Sequence, residues 1–326
     1  MLCIYNHSTD PYFNLATEEY LLKNFSQDIF MLWRNGPSII VGKHQNTLAE
    51  INYDYVREKG IKVVRRLSGG GTVFHDLGNL NFTFIQKGEH HELVDFRKYT
   101  QPILEVLSTM GIEARFEGRN DLTIDGRKFS GNAEHVHRDR ILHHGTLLFA
   151  SEIADLTAAL NVSPAKFTDK AVKSVRSRVT NISEHLPEPM DIETFTQRIM
   201  DHVTASRSDS QAYELSEADT QAIQALVEKR YGTWEWNFGY SPRYNFNRQF
   251  KSNGGHLDIH MDVNDGIITA CKIYGDFFHM EDIDALEQAL TGTPHEYDAL
   301  MNKLQDFPVQ RYIQGVQAEE LIRGMF

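Results

Sequence analysis

Along the chain, stretches whose apolar residues recur every three or four positions predict helices, and stretches where they recur every second position predict strands. Pro11–Asn24 reads as a helix, with Asp10 as its N-cap and Pro11 at the first helical position. Phe30–Trp33 and Ser38–Val41 read as strands on either side of the turn signal Asn35-Gly36-Pro37. Tyr53–Glu58 is a short helix stopped by Gly60, and Ile61–Arg66 is a further strand. Thr72–Phe74 and Leu80–Ile85 follow as a strand pair. In the second of these Leu80, Phe82 and Phe84 alternate with Asn81 and Thr83, the pattern of a half-buried strand. Helical spacing returns over Asp95–Met110 and ends at Gly111; Pro102 inside it predicts a regular helix only from near Tyr99.

From Glu113 to Ala150 the pattern is of antiparallel strands, with Asp125-Gly126 as a hairpin turn and long strands over Lys128–His137 and Ile141–Phe149. Glu152–Leu160, Asp191–Thr204 and Ser216–Tyr231 read as helices. Residues 246–280 read as a small meander turning at Gly254-Gly255 and Asn264-Asp265-Gly266. The end is helical over Asp282–Leu290, Tyr297–Leu304 and Ala318–Met325. This order predicts an α+β protein, with a large mixed domain over residues 1–242 and a smaller domain, strands then helices, over 246–326.

Composition narrows the partners more than the fold. The 326 residues carry a net charge of −12, which argues against a broad nucleic-acid surface but leaves room for a local basic pocket. The two cysteines, Cys3 and Cys271, have neither disulfide-framework nor metal-type spacing and point to a reducing compartment. No run approaches eighteen apolar residues and the first residues lack a basic, then apolar leader, so the expectation is a cytoplasmic protein with no membrane span.

Four segments carry candidate chemistry. The first is Arg65-Arg66-Leu67-Ser68-Gly69-Gly70-Gly71-Thr72-Val73-Phe74-His75-Asp76. Three glycines let backbone N–H groups approach an anion closely, and two arginines supply fork-shaped donors. It is neither a Walker A loop, since no Gly-Lys-Ser/Thr follows, nor a Rossmann fingerprint, since a strand follows where a helix should. Alone, the run also suits a plain surface turn. The second pairs Gly118-Arg119-Asn120-Asp121 with Gly126-Arg127-Lys128-Phe129-Ser130-Gly131-Asn132-Ala133. Strand alternation would put Lys128, Ser130 and Asn132 on one face, where a lysine meets a carboxylate and an α-phosphate together; a solvated hairpin lysine fits as well. The third is His143-His144-Gly145-Thr146, whose adjacent histidines point to opposite faces and make poor co-ligands for a metal, so that His144 reads as a core or supporting group. The fourth, Lys166–Arg178, is basic in an acidic protein and suits either a solvated face or a lid that meets phosphates.

Together RRLSGGGTVFHDLGNLNFTF, GRNDLTIDGRKFSGNA, LHHGTLLF and KSVRSRVTNISEHLP, with LWRN, VGKHQN and TWEWNFG, resemble the lipoate–protein ligase A family. The likeness runs through nearly all of the first 240 residues, and the last 80 resemble the family's small accessory domain. It implies the biotin/lipoate protein ligase fold, a mixed β-sheet with packed helices. It further implies ATP-dependent activation of lipoate to lipoyl-AMP, then transfer to a lysine of a lipoyl domain of a 2-oxoacid dehydrogenase E2 subunit or of glycine-cleavage H protein. Magnesium would accompany ATP. By this resemblance Lys128 is the catalytic residue and touches both substrates. Arg66, Gly71, Thr72, Val73, Phe74, Asn120, Asp121, Lys173 and Ser174 join it at ATP. Leu15, Trp33, Ser68, Gly69, Gly70, His135, His144 and Gly145 join it at lipoate. The Ala171–Arg178 stretch would close over the adenylate. The chain departs from the pattern at His135, where some members carry an arginine. Rival readings are an ATP-independent octanoyl or lipoyl relay transferase, which needs a cysteine nucleophile, a biotin ligase, and a non-catalytic lipoate-binding protein.

Overall fold

The structure is a computed structural model that describes residues 1–88, 95–160, 167–169 and 179–326. In chain order it holds β1 (Leu2–Asn6), α1 (Pro11–Asn24), β2 (Ile29–Arg34), β3 (Ser38–Val41), α2 (Thr47–Glu50), α3 (Tyr53–Glu58), β4 (Lys62–Arg65), β5 (Val73–His75) and β6 (Asn79–Lys87). Next come α4 (Phe96–Thr109), β7 (Ala114–Glu117), β8 (Asp121–Ile124), β9 (Arg127–His137), β10 (Arg140–Leu148), α5 (Ile153–Ala159) and β11 (Phe167–Asp169). The remainder is α6 (Ile192–Ala205), β12 (Gln211–Ala212), α7 (Glu217–Leu226), β13 (Tyr244–Ser252), β14 (Gly255–Asn264), β15 (Ile267–Gly275), α8 (Asp284–Leu290), α9 (Tyr297–Leu304), α10 (Val309–Tyr312) and α11 (Ala318–Arg323).

Two compact units result. The first takes Met1–Lys43, Ile61–Ala158 and the described part of Ser174–Thr233; the second takes His44–Gly60, the described part of Ala159–Lys173, and Trp234–Phe326. The first unit is built on an eight-stranded sheet in the order β12-β1-β2-β6-β10-β9-β8-β7, with a three-stranded sheet β4-β3-β5 beside it. β12, β1 and β2 run parallel, and the pairs from β2 through β6, β10, β9 and β8 to β7 are antiparallel. Phe30, Phe82, Phe84, Leu122 and Phe129 from one face of this sheet form the core with Tyr99, Ile103 and Leu107 of α4 and Phe195 and Ile199 of α6. The second unit is an antiparallel sheet β11-β13-β14-β15 with short helices, in which the Phe326 ring stacks between Tyr53 and His295 at 4.2 and 4.7 Å.

Two local expectations are corrected. The helix expected only from Tyr99 begins at Phe96, capped by Asp95, and continues through Pro102. A proline inside a helix costs about 3 kcal/mol. Burying Tyr99, Ile103, Val106 and Leu107 returns roughly 1.5–3 kcal/mol apiece, which is more. The strand expected to be half-buried is covered on both faces: Asn79, Asn81 and Thr83 of β6 are buried along with Leu80 and Phe82. No helix among the described residues is long and apolar enough to cross a membrane.

Candidate active site

The position of Lys128 follows from one extra residue in a strand. On β9 and β8, Gly131 pairs with Asp121 and Ser130 with Leu122, but Lys128 pairs with Thr123, so Phe129 is a bulge that no residue opposes. The bulge breaks the expected alternation. Ser130 shares the core face with Leu122, whereas Lys128 lies with Gly131 and Asp121 on the other face. The shared face expected for Lys128, Ser130 and Asn132 is therefore corrected. The Lys128 ammonium sits 2.7 Å from Asp121 Oδ1 and would be 3.0 Å from a Cβ on Gly131. Glycine at 131 leaves the space that this lysine uses. The N–H of Thr180, where the chain re-enters the described residues, donates to the Lys128 carbonyl at 3.0 Å.

The triple-glycine turn is held from inside. Arg66 is buried; its Nε donates to Ser68 Oγ (2.9 Å), one terminal nitrogen to Ile40 O (3.1 Å), and the other to Gly69 O (2.6 Å) and Gly71 O (2.7 Å). Burial lowers the guanidinium to about 10, against a compensating field from Glu18. Arg66 thus spends its donors on its own turn and orients the backbone there. Gly70 has φ +90°, a conformation that only glycine takes without strain. Among the described residues, nothing lies within 4 Å of where a Cβ on Gly69 would stand, so they leave that side of the turn open.

A hydrogen-bond chain ties the turn to the sheet. His144 of β10 reaches Ser68 Oγ through Nε2 at 2.6 Å and both carboxylate oxygens of Glu18 through Nδ1 at 3.0 Å. Glu18, from the middle of α1, also accepts from Thr83 Oγ1 (2.6 Å), which in turn accepts from Trp33 Nε1 (2.9 Å). A carboxylate only accepts, so Nδ1 of His144 carries the proton; in the neutral ring Nε2 then accepts from Ser68. Thr146, two residues from His144 and hence about 7 Å along the strand, accepts from the Gly131 N–H at 3.1 Å. From Ser68 through His144, Thr146 and Gly131 to Lys128, one face of the sheet carries both the glycine turn and the lysine.

The other expected residues sort as follows. Leu15 and Trp33 are buried, on α1 and β2. Thr72 is buried at the end of the turn, after Gly71, and Phe74 is buried in β5, after the half-buried Val73. His135, on the His144 face of β9, is held to about 4 by burial and the nearby Lys43 charge. Asn120 binds β9, donating from Nδ2 to Asn132 O at 2.6 Å. Gly145 does not face this site: a Cβ there would stand 2.3 Å from Asn132 Oδ1 and 2.5 Å from two Phe82 ring carbons, on the opposite face. Gly145→Ala should cost about 2 kcal/mol by overpacking, read as a lower urea midpoint at unchanged slope. Lys173, Ser174 and the rest of the expected Ala171–Arg178 lid lie outside the described residues.

The profile of the lipoyl protein ligase A/B catalytic domain matches residues 10–204, and that of the bacterial lipoate protein ligase C-terminus matches 241–325. The lipoate-protein ligase LplJ of Bacillus subtilis is 42% identical, over 99% of each chain. The chain belongs to the lipoyl protein ligase A/B family. Its activity is accordingly that of a lipoate–protein ligase. Lipoate–protein ligase 1 of Staphylococcus aureus is also 42% identical over 98% of each chain. Among solved structures, P. falciparum LipL1 in complex with lipoate superposes with a TM-score of 0.63 at 27% identity, covering 94% of each chain. A lipoate-protein ligase A bound with ATP shares the fold over 73% of this chain, with a TM-score of 0.62 at 23% identity.

For a lipoate–protein ligase, the residues that sequence reading passed over are Glu18 and Thr83. Glu18 left a signal: it shares a helix face with Leu15 and Leu22, at spacings of three and four, a polar residue in an otherwise apolar row, while Thr83 sits in a polar row of its strand. A buried polar group in such a row needs a partner, and these two find each other.

Proposed function

We propose that the face carrying the glycine turn and Lys128 joins lipoate to ATP, giving lipoyl-AMP and pyrophosphate, and then passes the lipoyl group to a lysine amine of an acceptor protein with release of AMP. The observation that carries this reading is the bulge at Phe129, which turns Lys128 onto the Ser68–His144 face. A carboxylate attacking a phosphate brings two anions together. Lys128 supplies positive charge where they meet, and the Gly69–Gly71 turn, braced by Arg66, supplies N–H donors that need no reorganisation. Thr72, Val73 and Phe74 continue that nucleotide cradle, and Asn120 and Asp121 border it from the β7–β8 turn. The buried Leu15, Trp33 and Ser68 would border the lipoyl chain, with His135 and His144 at its polar end. Magnesium bound to the nucleotide phosphates would neutralise part of their charge.

Acceptors of this chemistry are lipoyl domains of 2-oxoacid dehydrogenase E2 subunits or glycine-cleavage H protein, in the cytoplasm, with residues 246–326 as the accessory domain. A cysteine-dependent relay finds little support. Cys3 is buried in the sheet core, and burial pushes the Cys271 thiol up to about 12, where the thiolate is scarce. The deciding experiment mixes the protein with an apo lipoyl domain and offers lipoate, an octanoyl carrier or biotin, each with and without ATP. Lipoylation from free lipoate that requires ATP is expected. Transfer from the octanoyl carrier without ATP would replace this reading by the relay, and no transfer at all by the binding protein.

A further inference from the structure

Behind Lys128, on the opposite face of the sheet, lies a buried polar cluster that reaches the site described so far through Asn120. His143 of β10 is fully buried, stacked on Tyr99 and Phe82 at 4.9 and 5.8 Å. Its Nδ1 lies 2.9 Å from Glu134 Oε1 and its Nε2 lies 3.2 Å from Asn132 Oδ1. Asn132 Nδ2 donates to Asn120 O at 3.1 Å and to Ser130 Oγ at 3.2 Å, while Asn120 Nδ2 donates back to Asn132 O at 2.6 Å. The residue after Asn120 is Asp121, whose carboxylate holds the Lys128 ammonium.

The protons in this cluster can be placed by elimination. Asn120 O, which also accepts from the Asn132 backbone N–H at 3.0 Å, can only accept, so the Asn132 amide must turn its nitrogen there and its oxygen to His143. That oxygen only accepts, so His143 Nε2 carries a proton. Burial keeps the imidazole neutral, so Nδ1 is bare and must accept from Glu134. Glu134 is therefore the protonated acid, and its second oxygen, which has no partner among the described residues, is the carbonyl of a neutral group rather than half of a buried anion. Burial and the neighbouring Asp95 raise this carboxyl to about 7. Asp95 and Tyr99 face Glu134 from the cap and body of α4, and His143 faces it from β10. Gly145 belongs to the same design, because any Cβ there would displace Asn132 Oδ1.

We propose that Glu134 and His143 are positioning residues for Lys128: the proton that Glu134 lends to His143 fixes the orientation of the Asn132 amide, and that amide fixes the Asn120–Asp121 turn that holds the lysine. The inference rests on the role of Lys128 proposed above. When Glu134 loses its proton, the anion requires a donor. His143 meets that need by moving its proton from Nε2 to Nδ1, which leaves Nε2 facing Asn132 Oδ1, acceptor against acceptor. The amide then turns over and sets its oxygen against Asn120 O; the bonds through the Asn132 N–H and Asn120 Nδ2 remain, and the turn shifts to relieve the repulsion. Lipoyl-AMP formation should therefore fall as pH rises through about 7, where Glu134 ionises.

Glu134→Gln keeps a neutral donor toward Nδ1 at every pH. Lipoate-dependent exchange of pyrophosphate into ATP would be followed from pH 6 to 9 in both proteins. Their ratio, variant over wild type, removes titration of the substrates, and it should rise several-fold across the range. In parallel, the imidazole nitrogen-15 signals that Glu134→Gln perturbs report the His143 tautomer. The wild type should carry its proton on Nε2 at pH 6 and on Nδ1 at pH 9, and the variant on Nε2 throughout. A flat ratio, or a wild-type proton on Nδ1 at pH 6, overturns the proposal; the wild-type tautomer decides even if the variant folds poorly. Absence of exchange at every pH would overturn the ligase reading and the link to Lys128, while the tautomer would still report on the buried pair.

Discussion

Lys128→Ala should lower lipoate-dependent pyrophosphate exchange by about a hundredfold or more, equivalent to roughly 3 kcal/mol of lost transition-state stabilisation. The lysine stands where a carboxylate and a phosphate would meet, and no other described side chain on its face of β9 carries positive charge: its neighbours on that face are Gly131, Ala133 and His135, the last kept neutral by burial. The fold should survive. Lys128 and Asp121 are 26% and 30% exposed, and an ion pair of that kind contributes about 0–1 kcal/mol. Lys128→Arg should recover little, because a planar fork does not fit the space that Gly131 leaves for a compact ammonium. Stopped-assay exchange and thermal melting measure the two sides. Undiminished exchange in a folded Lys128→Ala protein would remove this lysine from the reaction.

Glu18→Ala should have the largest effect on stability, about 3 kcal/mol or more. The carboxylate is almost wholly buried and accepts from both Thr83 and His144. Truncation leaves the Thr83 hydroxyl and the His144 Nδ1–H without an acceptor, each at about 1–3 kcal/mol, and removes the opposing charge that sustains Arg66. Because His144 holds Ser68 and Arg66 holds the glycine turn, exchange should fall together with stability. Glu18→Gln separates the two. Its amide still accepts from Thr83, so most stability returns. Its nitrogen, in place of Oε2, stands 3.0 Å from His144 Nδ1–H, donor against donor, so the contact with Ser68 is perturbed and activity stays low. Equilibrium denaturation of both variants is the check, and a loss below about 1 kcal/mol for Glu18→Ala would show that the chain through His144 is not a unit.

Much of the local structure was legible because it is local. Asp10 and Pro11 mark the start of α1, Asp125-Gly126 turns a hairpin through a positive φ at both residues, and Tyr297–Leu304 is found where its apolar spacing puts it. The glycine turn could be recognised too, since three missing side chains are written directly in the sequence. The strand β1 escaped, as five residues with no turn signal ahead of them carry little periodicity. The polar row of β6 was misjudged because alternation shows that two faces differ, not that one of them meets water.

By itself, then, the sequence determined the helices with capped ends and apolar stripes, the strands with a period of two, the turns that need glycine, and the motifs that place the chain among lipoate–protein ligases. All of these depend on residues a few positions apart. The tertiary structure decided which face Lys128 occupies, because a bulge is a mismatch in register between two strands and shows only once they pair. It also decided that Glu18, Thr83, His144 and Ser68, spread over 126 positions between Glu18 and His144, form one hydrogen-bonded chain. Buried polar groups must find partners wherever the fold brings them. Nothing in their spacing along the chain says which partners those are.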